Sequence, residues 1–415
     1  MIPKKRGLLW AFLFYVAIAK GASIDVRCLF EEALLQLNNG NVEKSKDLFE
    51  LVYTKTGSIS ALYNAAFVKK IMACTNTALL DEAIKDLEWI VTVHPEYNEA
   101  QMGLGFAYLE KGDYQKGWAQ HAHYLKRSGK YAQELRDLVL HDQLKHKTIL
   151  LRYEGGLGDS IHFIRYAYVL KQRGATVFVY VQTPLKKLFS LCPYLDGVFT
   201  SGDIVPSFDA FATLMSMPAV WWGQYDAMPA VVPYLYADKE LIKKWSFIHT
   251  EEKKLKIGIC WQSDVYNDSS RLPIARRGIP LPLMLSLVEQ EIPLHLYSLQ
   301  KKDGLDEAKT IPSDLLTTLS DDFDESAGPF MDTAALMMSL DLIITIDSAV
   351  AHLAGALGRP VWLLLPYSSD WRWIKGKQTS EWYPSMKIFQ QSRPFDWESV
   401  IKDIKKELKL FESYI

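Results

Sequence analysis

Cysteine is scarce in this sequence, and what there is forms no pattern. Cys28, Cys74, Cys192 and Cys260 are spread over 415 residues without a Cys-x-x-Cys pair. That spacing matches neither a zinc site nor a disulfide framework. The nine histidines include no His-Glu-x-x-His, and His121 and His123, two apart, would diverge on a helix. No metal site is therefore read. Charge of one sign is also lacking: 47 Lys and Arg stand against 49 Asp and Glu, a formal net charge of -2. This removes any electrostatic reason to expect nucleic acid. A long apolar run is missing too. Leu8–Ala19, LLWAFLFYVAIA, is short for a membrane span. Behind the basic flank Lys4-Lys5-Arg6 and ending in Ala17-Ile18-Ala19, it reads as a signal-like or anchor-like segment, residues 1–24. A buried or amphipathic helix, or a start codon placed too early, fits the same residues.

What remains is ordinary for a folded chain of two or three domains: 49% hydrophobic and 23% charged. Residues 25–145 show no strand pattern and carry a repeat with a period near 34, as in tetratricopeptide arrays. The clearest copy is Gln101–Gly117, in which Gly105 allows close helix contact, Tyr108 fills the groove and Gly112-Asp113 makes the turn. Three copies are near the minimum for a stable stack. They suit either a partner surface or an extension docked on the next domain.

Two α/β halves follow, residues 146–245 and 250–395, with a closing amphipathic helix in 396–415. The first half opens with strand Thr148–Tyr153, the loop Glu154–Ser160 and a helix predicted over Ile161–Arg173. Strands at 175–182, 197–200 and 208–214 come next. The second half opens with strand Lys254–Trp261 and is centred on Asp341–Pro366, DLIITIDSAVAHLAGALGRPVWLLLP. Leu342–Ile346 and Val361–Leu365 are apolar without alternation, as expected of strands buried on both faces of a parallel sheet. A helix from about Val350 connects them and ends at Gly358 and Pro360. Strand-helix-strand order makes parallel sheets with right-handed crossovers. The predicted fold class is thus α/β, two Rossmann-like lobes with a cleft between their carboxyl edges, behind an all-α segment.

Ligands bind at such edges. The loop Asp347-Ser348-Ala349 and the helix behind it offer free N–H groups to a phosphate or diphosphate, although Asp347 or Ser348 could equally cap that helix. His352, in its first turn, can donate to an anion or simply be satisfied at the surface. The Gly155–Asp159 loop, GGLGD, lets backbone approach a ligand closely at Gly158. It is neither a Gly-x-Gly-x-x-Gly fingerprint nor a P-loop. Asp159 is a candidate general base, or an N-terminal carboxylate favoured by the helix dipole. Arg276 and Arg277 can neutralise a diphosphate leaving group. Gln262 ends one strand, and Gln300 ends another where it can read a nucleobase edge. Asp332 can meet a ribose hydroxyl or cap its helix.

From about Thr148 to Gln391 the chain resembles glycosyltransferase family 9, the heptosyltransferase family, in the form preceded by tetratricopeptide repeats. The resemblance is carried by LRYEGGLGDSIHFIRY (Leu151–Tyr166), MSMP (Met215–Pro218), PAVVPYL (Pro229–Leu235), GICWQ (Gly258–Gln262), RGIPL (Arg277–Leu281), SLQ (Ser298–Gln300), the stretch Asp332–Trp373 and WYPSMKIFQQ (Trp382–Gln391). It implies a GT-B fold and metal-independent inverting transfer of a sugar from a nucleotide-sugar co-substrate, with no further cofactor. The acceptor would be a glycan, lipid or protein, with a protein partner on the repeats. Asp159 falls at the family's base, while Asp347-Ser348-Ala349 and His352 fall at its diphosphate loop. Ser348 stands where threonine is usual, and residues 269–275 are extra beside Arg277. A nucleotide-sugar enzyme is expected in the cytoplasm, with membrane association resting on the N-terminal run. Two rivals remain: a non-catalytic scaffold with a degenerate transferase module, and a peptide-modifying enzyme resembling O-linked N-acetylglucosamine transferases.

Overall fold

The computed structural model describes residues 24–127, 132–222, 229, 231–246, 254–265, 268, 271–290 and 292–412. The N-terminal apolar run and residues 269 and 270 of the expected insertion lie outside them. Among the described residues no helix is long and apolar enough to cross a membrane.

Six helices come first: α1 (Ile24–Asn38), α2 (Val42–Thr56), α3 (Ile59–Met72), α4 (Ala78–Val93), α5 (Asn98–Lys111) and α6 (Tyr114–Arg127). Each packs on its neighbour in sequence. The α5–α6 crossing is close at Gly117, where a Cβ would stand 2.5 Å from the Leu109 side chain and 3.2 Å from the Gly105 carbonyl; a Cβ on Gly105 would meet the Gly117 carbonyl at an ordinary 3.5 Å. Gly112 caps α5 at φ 85°, a left-handed conformation that glycine adopts without a Cβ penalty. The array is docked, not free. Ile274 and Tyr367 of the second lobe belong to its apolar core, and the Lys375 N–H donates to the Glu110 carbonyl at 3.0 Å.

The first lobe is a parallel sheet of order β3-β2-β1-β4, built from β1 (Thr148–Arg152), β2 (Thr176–Tyr180), β3 (Gly197–Phe199) and β4 (Ala210–Thr213). In register, Ile149 lies opposite Val177 and Ala210. The predicted helix over 161–173 starts earlier, at Leu157, and breaks at Ile164 into Leu157–Phe163 and Arg165–Gln172. The end of the glycine loop is therefore helical.

The second lobe is a six-stranded parallel sheet of order β10-β9-β8-β5-β6-β7: β5 (Leu255–Cys260), β6 (Leu294–Ser298), β7 (Leu316–Thr317), β8 (Leu342–Ile346), β9 (Val361–Leu365) and β10 (Met386–Gln390). Every residue of β8 and β9 is buried, as a two-sided parallel sheet requires. On one face Ile344, Trp362 and Phe389 pack with Val400, Ile404 and Leu408 of the closing helix Trp397–Glu412. The other face shares one core with the first lobe, so the lobes meet over apolar as well as polar side chains.

Candidate functional site

The glycine loop runs from β1 into the Leu157–Phe163 helix. Gly155 has φ 85°, and a Cβ there would collide with the Asp159 carboxylate. Asp159 Oδ2 accepts the Gly156 N–H at 2.7 Å, which closes the helix start. Its other oxygen, Oδ1, accepts from Arg372 Nη2 at 2.5 Å. Arg372 belongs to the second lobe, so the candidate base is held across the interlobe boundary. The same guanidinium donates from Nη1 to Asp370 at 2.9 Å and lies over the rings of Trp371 and Phe163. Burial opposes its charge, but Asp370 and Asp159 outweigh burial and raise its pKa. Asp370 is held below the usual carboxylate range because Arg372 outweighs its own burial.

Opposite the glycine loop stands the loop after β8. A Cβ on Gly158 would lie 3.0 Å from the His352 ring and 3.6 Å from the Ala349 Cα. Two helix N-termini, one from each lobe, thus meet where a side chain beyond glycine would push on the His352 ring. Ser348 takes the N-cap position of the Ala349–Ala356 helix in extended backbone but makes no side-chain capping bond. Its buried Oγ makes no hydrogen bond. The Arg277 guanidinium donates to the Asp347 carbonyl and lies 3.5 Å from the Asp347 carboxylate, while its backbone N–H is pinned by Asp268 at 3.0 Å. Burial pushes the Asp347 carboxyl up; Arg277 opposes and Asp370 adds to the rise.

Behind these loops lies a buried polar cluster that the sequence did not reveal. The Tyr383 hydroxyl sits 2.8 Å from His162 Nδ1 and 2.9 Å from His352 Nδ1, and 3.3 Å from the Tyr234 hydroxyl. Arg165 donates to Tyr234 at 3.0 Å and to the Trp382 carbonyl at 3.0 Å. Gly355 makes room, since a Cβ there would stand 2.5 Å from the Tyr383 ring. Burial first, then nearby guanidinium groups, drive both histidines well below their ordinary pKa, so both are neutral. With Nδ1 engaged by Tyr383, His352 turns Nε2 toward Asp347, 3.9 Å away.

Asp159, Gly158, Asp347, Ser348, Ala349, His352 and Arg277 therefore converge on one interlobe seam. Gln262 follows β5, whose Cys260 is paired with Thr345 of β8, and so leaves the same sheet edge. Two expectations need correcting. Gln300 does not present its amide to a ligand: Oε1 accepts the Trp261 and Gln262 N–H groups at 3.1 and 3.0 Å, and Nε2 donates to the Gln262 and Asp303 carbonyls at 2.8 and 2.7 Å. It ties β5 to β6. Asp332, wholly buried, is no ribose ligand. Its Oδ1 accepts from Lys244 and Trp245 at 3.0 and 2.8 Å, and its Oδ2 from the Asp324 N–H at 3.0 Å. It fastens the Lys239–Trp245 helix to the second lobe. Arg372, Asp370, Tyr383 and His162 were missed as site residues. Their signal was their place in the stretches Leu151–Tyr166, Asp332–Trp373 and Trp382–Gln391 that carry the family resemblance.

No family model matches the chain. Among curated proteins, the protein FlbA of Caulobacter vibrioides is 35% identical over 81 residues, 19% of this chain. The match spans 13% of that protein's length. Similar solved structures include a family 9 glycosyl transferase from Veillonella parvula, at 12% identity and TM-score 0.45, over 63% of this chain and 90% of that one. The E. coli ADP-heptose lipopolysaccharide heptosyltransferase II is similar at 13% identity and TM-score 0.44, over 64% of this chain and 99% of that one. A mutant O-GlcNAc transferase from Thermobaculum terrenum is similar at 15% identity and TM-score 0.28, over 83% of this chain and 77% of that one.

Proposed function

We propose that the chain is a glycosyltransferase that moves a sugar from a nucleotide-sugar to an acceptor hydroxyl by inverting displacement, without a metal. The observation that carries this reading is the seam itself. The Asp159 carboxylate of one lobe is bound to Arg372 of the other at 2.5 Å, beside a helix N-terminus whose cap side chain is unspent. In this scheme the acceptor oxygen attacks the anomeric carbon and its proton passes to Asp159. The bond from that carbon to the diphosphate breaks, and its electron pair leaves with the diphosphate. Arg277, Ser348 and the N–H groups from Ala349 onward receive that charge, with His352 as a neutral donor through Nε2. Donors of this kind contribute about 3 kcal/mol each to transition-state stabilisation. Arg372 is a further cation on the same wall, and giving up Asp159 for the diphosphate would free the base as donor binds.

A second reading has one specific observation in its favour. Both Asp159 oxygens are already engaged, by Gly156 and Arg372, as they would be in a static module serving as a scaffold. Asp159→Asn separates the two. The transferase reading expects loss of transfer with nucleotide binding retained. Transfer at a near-normal rate removes Asp159 as base, and no turnover of any nucleotide-sugar by the well-folded native chain favours the scaffold.

A further inference from the structure

A cleft of about 690 Å³, counting its open mouth, lies where α3 and α5 meet the 368–375 segment and the 271–275 turn. Phe67, Phe106 and Trp371 form one wall; Phe106 and Trp371 are stacked at 5.8 Å and 3°. Lys70, Arg271 and Lys375 supply three cations. The anions available to them are few. Lys70 reaches Glu110 Oε1 at 2.8 Å, and Lys375 lies 4.0 Å from Glu110 Oε2. Arg271 has Asp268 at 3.9 Å, and the charges of Asp347 and Asp370 also act on it. Asp370 also lines the cleft, but its charge is taken by Arg372. A smaller hollow of about 380 Å³, floored by Tyr63, Leu87 and Met102, shares Phe67, Lys70 and Phe106 with the cleft. The two adjoin across these residues as a shallow trough, and Asp370 on its wall is joined to Asp159 by hydrogen bonds through Arg372.

A flat aromatic wall beside an excess of cations suits a ring bearing an anionic group. Resting on the transfer reading above, we propose that this trough is the acceptor subsite, and that it selects an acceptor carrying a phosphate or carboxylate close to a ring. Lys70, Arg271 and Lys375 hold the anion, and the ring lies against Phe106, which Trp371 backs. The repeats then take part in substrate recognition, supplying half of the subsite from α3 and α5.

The test is isothermal titration of the full chain with glucose 6-phosphate, glucuronate and neutral glucose, each with and without a nucleoside diphosphate. Lys70→Gln and Arg271→Gln are compared, with circular dichroism melts confirming that each folds. The expected result is binding of at least one anion, with glucose weaker by about tenfold and each variant costing about tenfold, the scale of one charge-assisted hydrogen bond. The anion that binds identifies the group. Equal binding of glucose and both anions, or unchanged affinity in both folded variants, overturns the proposal. Failure of both anions to bind at millimolar concentration overturns it as well, and if the nucleotide still binds, the transfer reading survives alone. Anion binding without nucleotide binding removes the transfer reading, and with it the acceptor role, and leaves the trough an anion site only.

Discussion

Tyr383→Phe deletes a single oxygen from the centre of the interlobe cluster. That oxygen is within 3.3 Å of His162 Nδ1, His352 Nδ1 and the Tyr234 hydroxyl, and the site is fully buried. His162 Nε2 already lacks a partner, so the variant leaves that imidazole with none among the described residues. Each buried imidazole nitrogen stranded in this way costs about 1–3 kcal/mol. Two of them give about 4 kcal/mol, with Tyr234 still held by Arg165. Unfolding entropy of about 2.1 cal/mol/K per residue amounts to about 0.9 kcal/mol/K for a chain of this length, so the expected fall in Tm is about 5 °C. If the lobes unfold separately the shift is larger in the transition that contains them, and calorimetry resolves which. The assay is differential scanning calorimetry of both proteins at pH 8, where the histidines are neutral. A fall below about 1 °C refutes the reasoning, since it would mean that the hydroxyl satisfies nothing the lobes depend on.

Two further outcomes follow from the same geometry. Gly158→Ala places a methyl 3.0 Å from the His352 ring and is expected to destabilise by about 1–3 kcal/mol. It should also depress transfer more than the stability loss explains; chemical denaturation and initial rates check both. His121 sits between Phe106 and Trp118, and its pKa is brought down to about 4 by burial, against the opposing charge of Glu154. A depressed histidine contributes stability that is complete above its unfolded pKa and is lost as pH falls toward the folded one. His121→Gln should therefore flatten the pH dependence of stability between about pH 6.5 and 4, by up to about 1.4 kcal/mol per pH unit. Urea unfolding at stepped pH measures this, and an unchanged slope contradicts it.

The parts of the fold legible in the sequence were those set by local pattern. Leu342–Ile346 and Val361–Leu365 carry no alternation, with Thr345 the one polar residue, because both faces of a parallel strand are covered, and that needs no knowledge of partners. Gly112 is legible for the same reason, since a left-handed cap favours glycine at one place. β10 was not read as a strand. Lys387 and Gln390 interrupt its apolar residues, and only pairing with β9 makes Met386–Gln390 an edge strand. Side-chain commitments were illegible where the partner is remote. Nothing near Asp159 announces Arg372, 213 positions away. Gln300 and Asp332 are polar residues at the expected sheet edge and helix start, and only the folded chain shows that backbone, Lys244 and Trp245 have already claimed them.

The proposed transfer requires the seam between the lobes to receive an activated donor by its diphosphate. A crystal structure of the full chain with a bound nucleoside diphosphate is the sharpest test. Phosphate oxygens are expected within hydrogen-bond distance of Ser348 Oγ, the Ala349 N–H and the Arg277 guanidinium. A nucleotide seated away from these groups, with Arg277 still on the Asp347 carbonyl and Ser348 Oγ still unbonded, would contradict it.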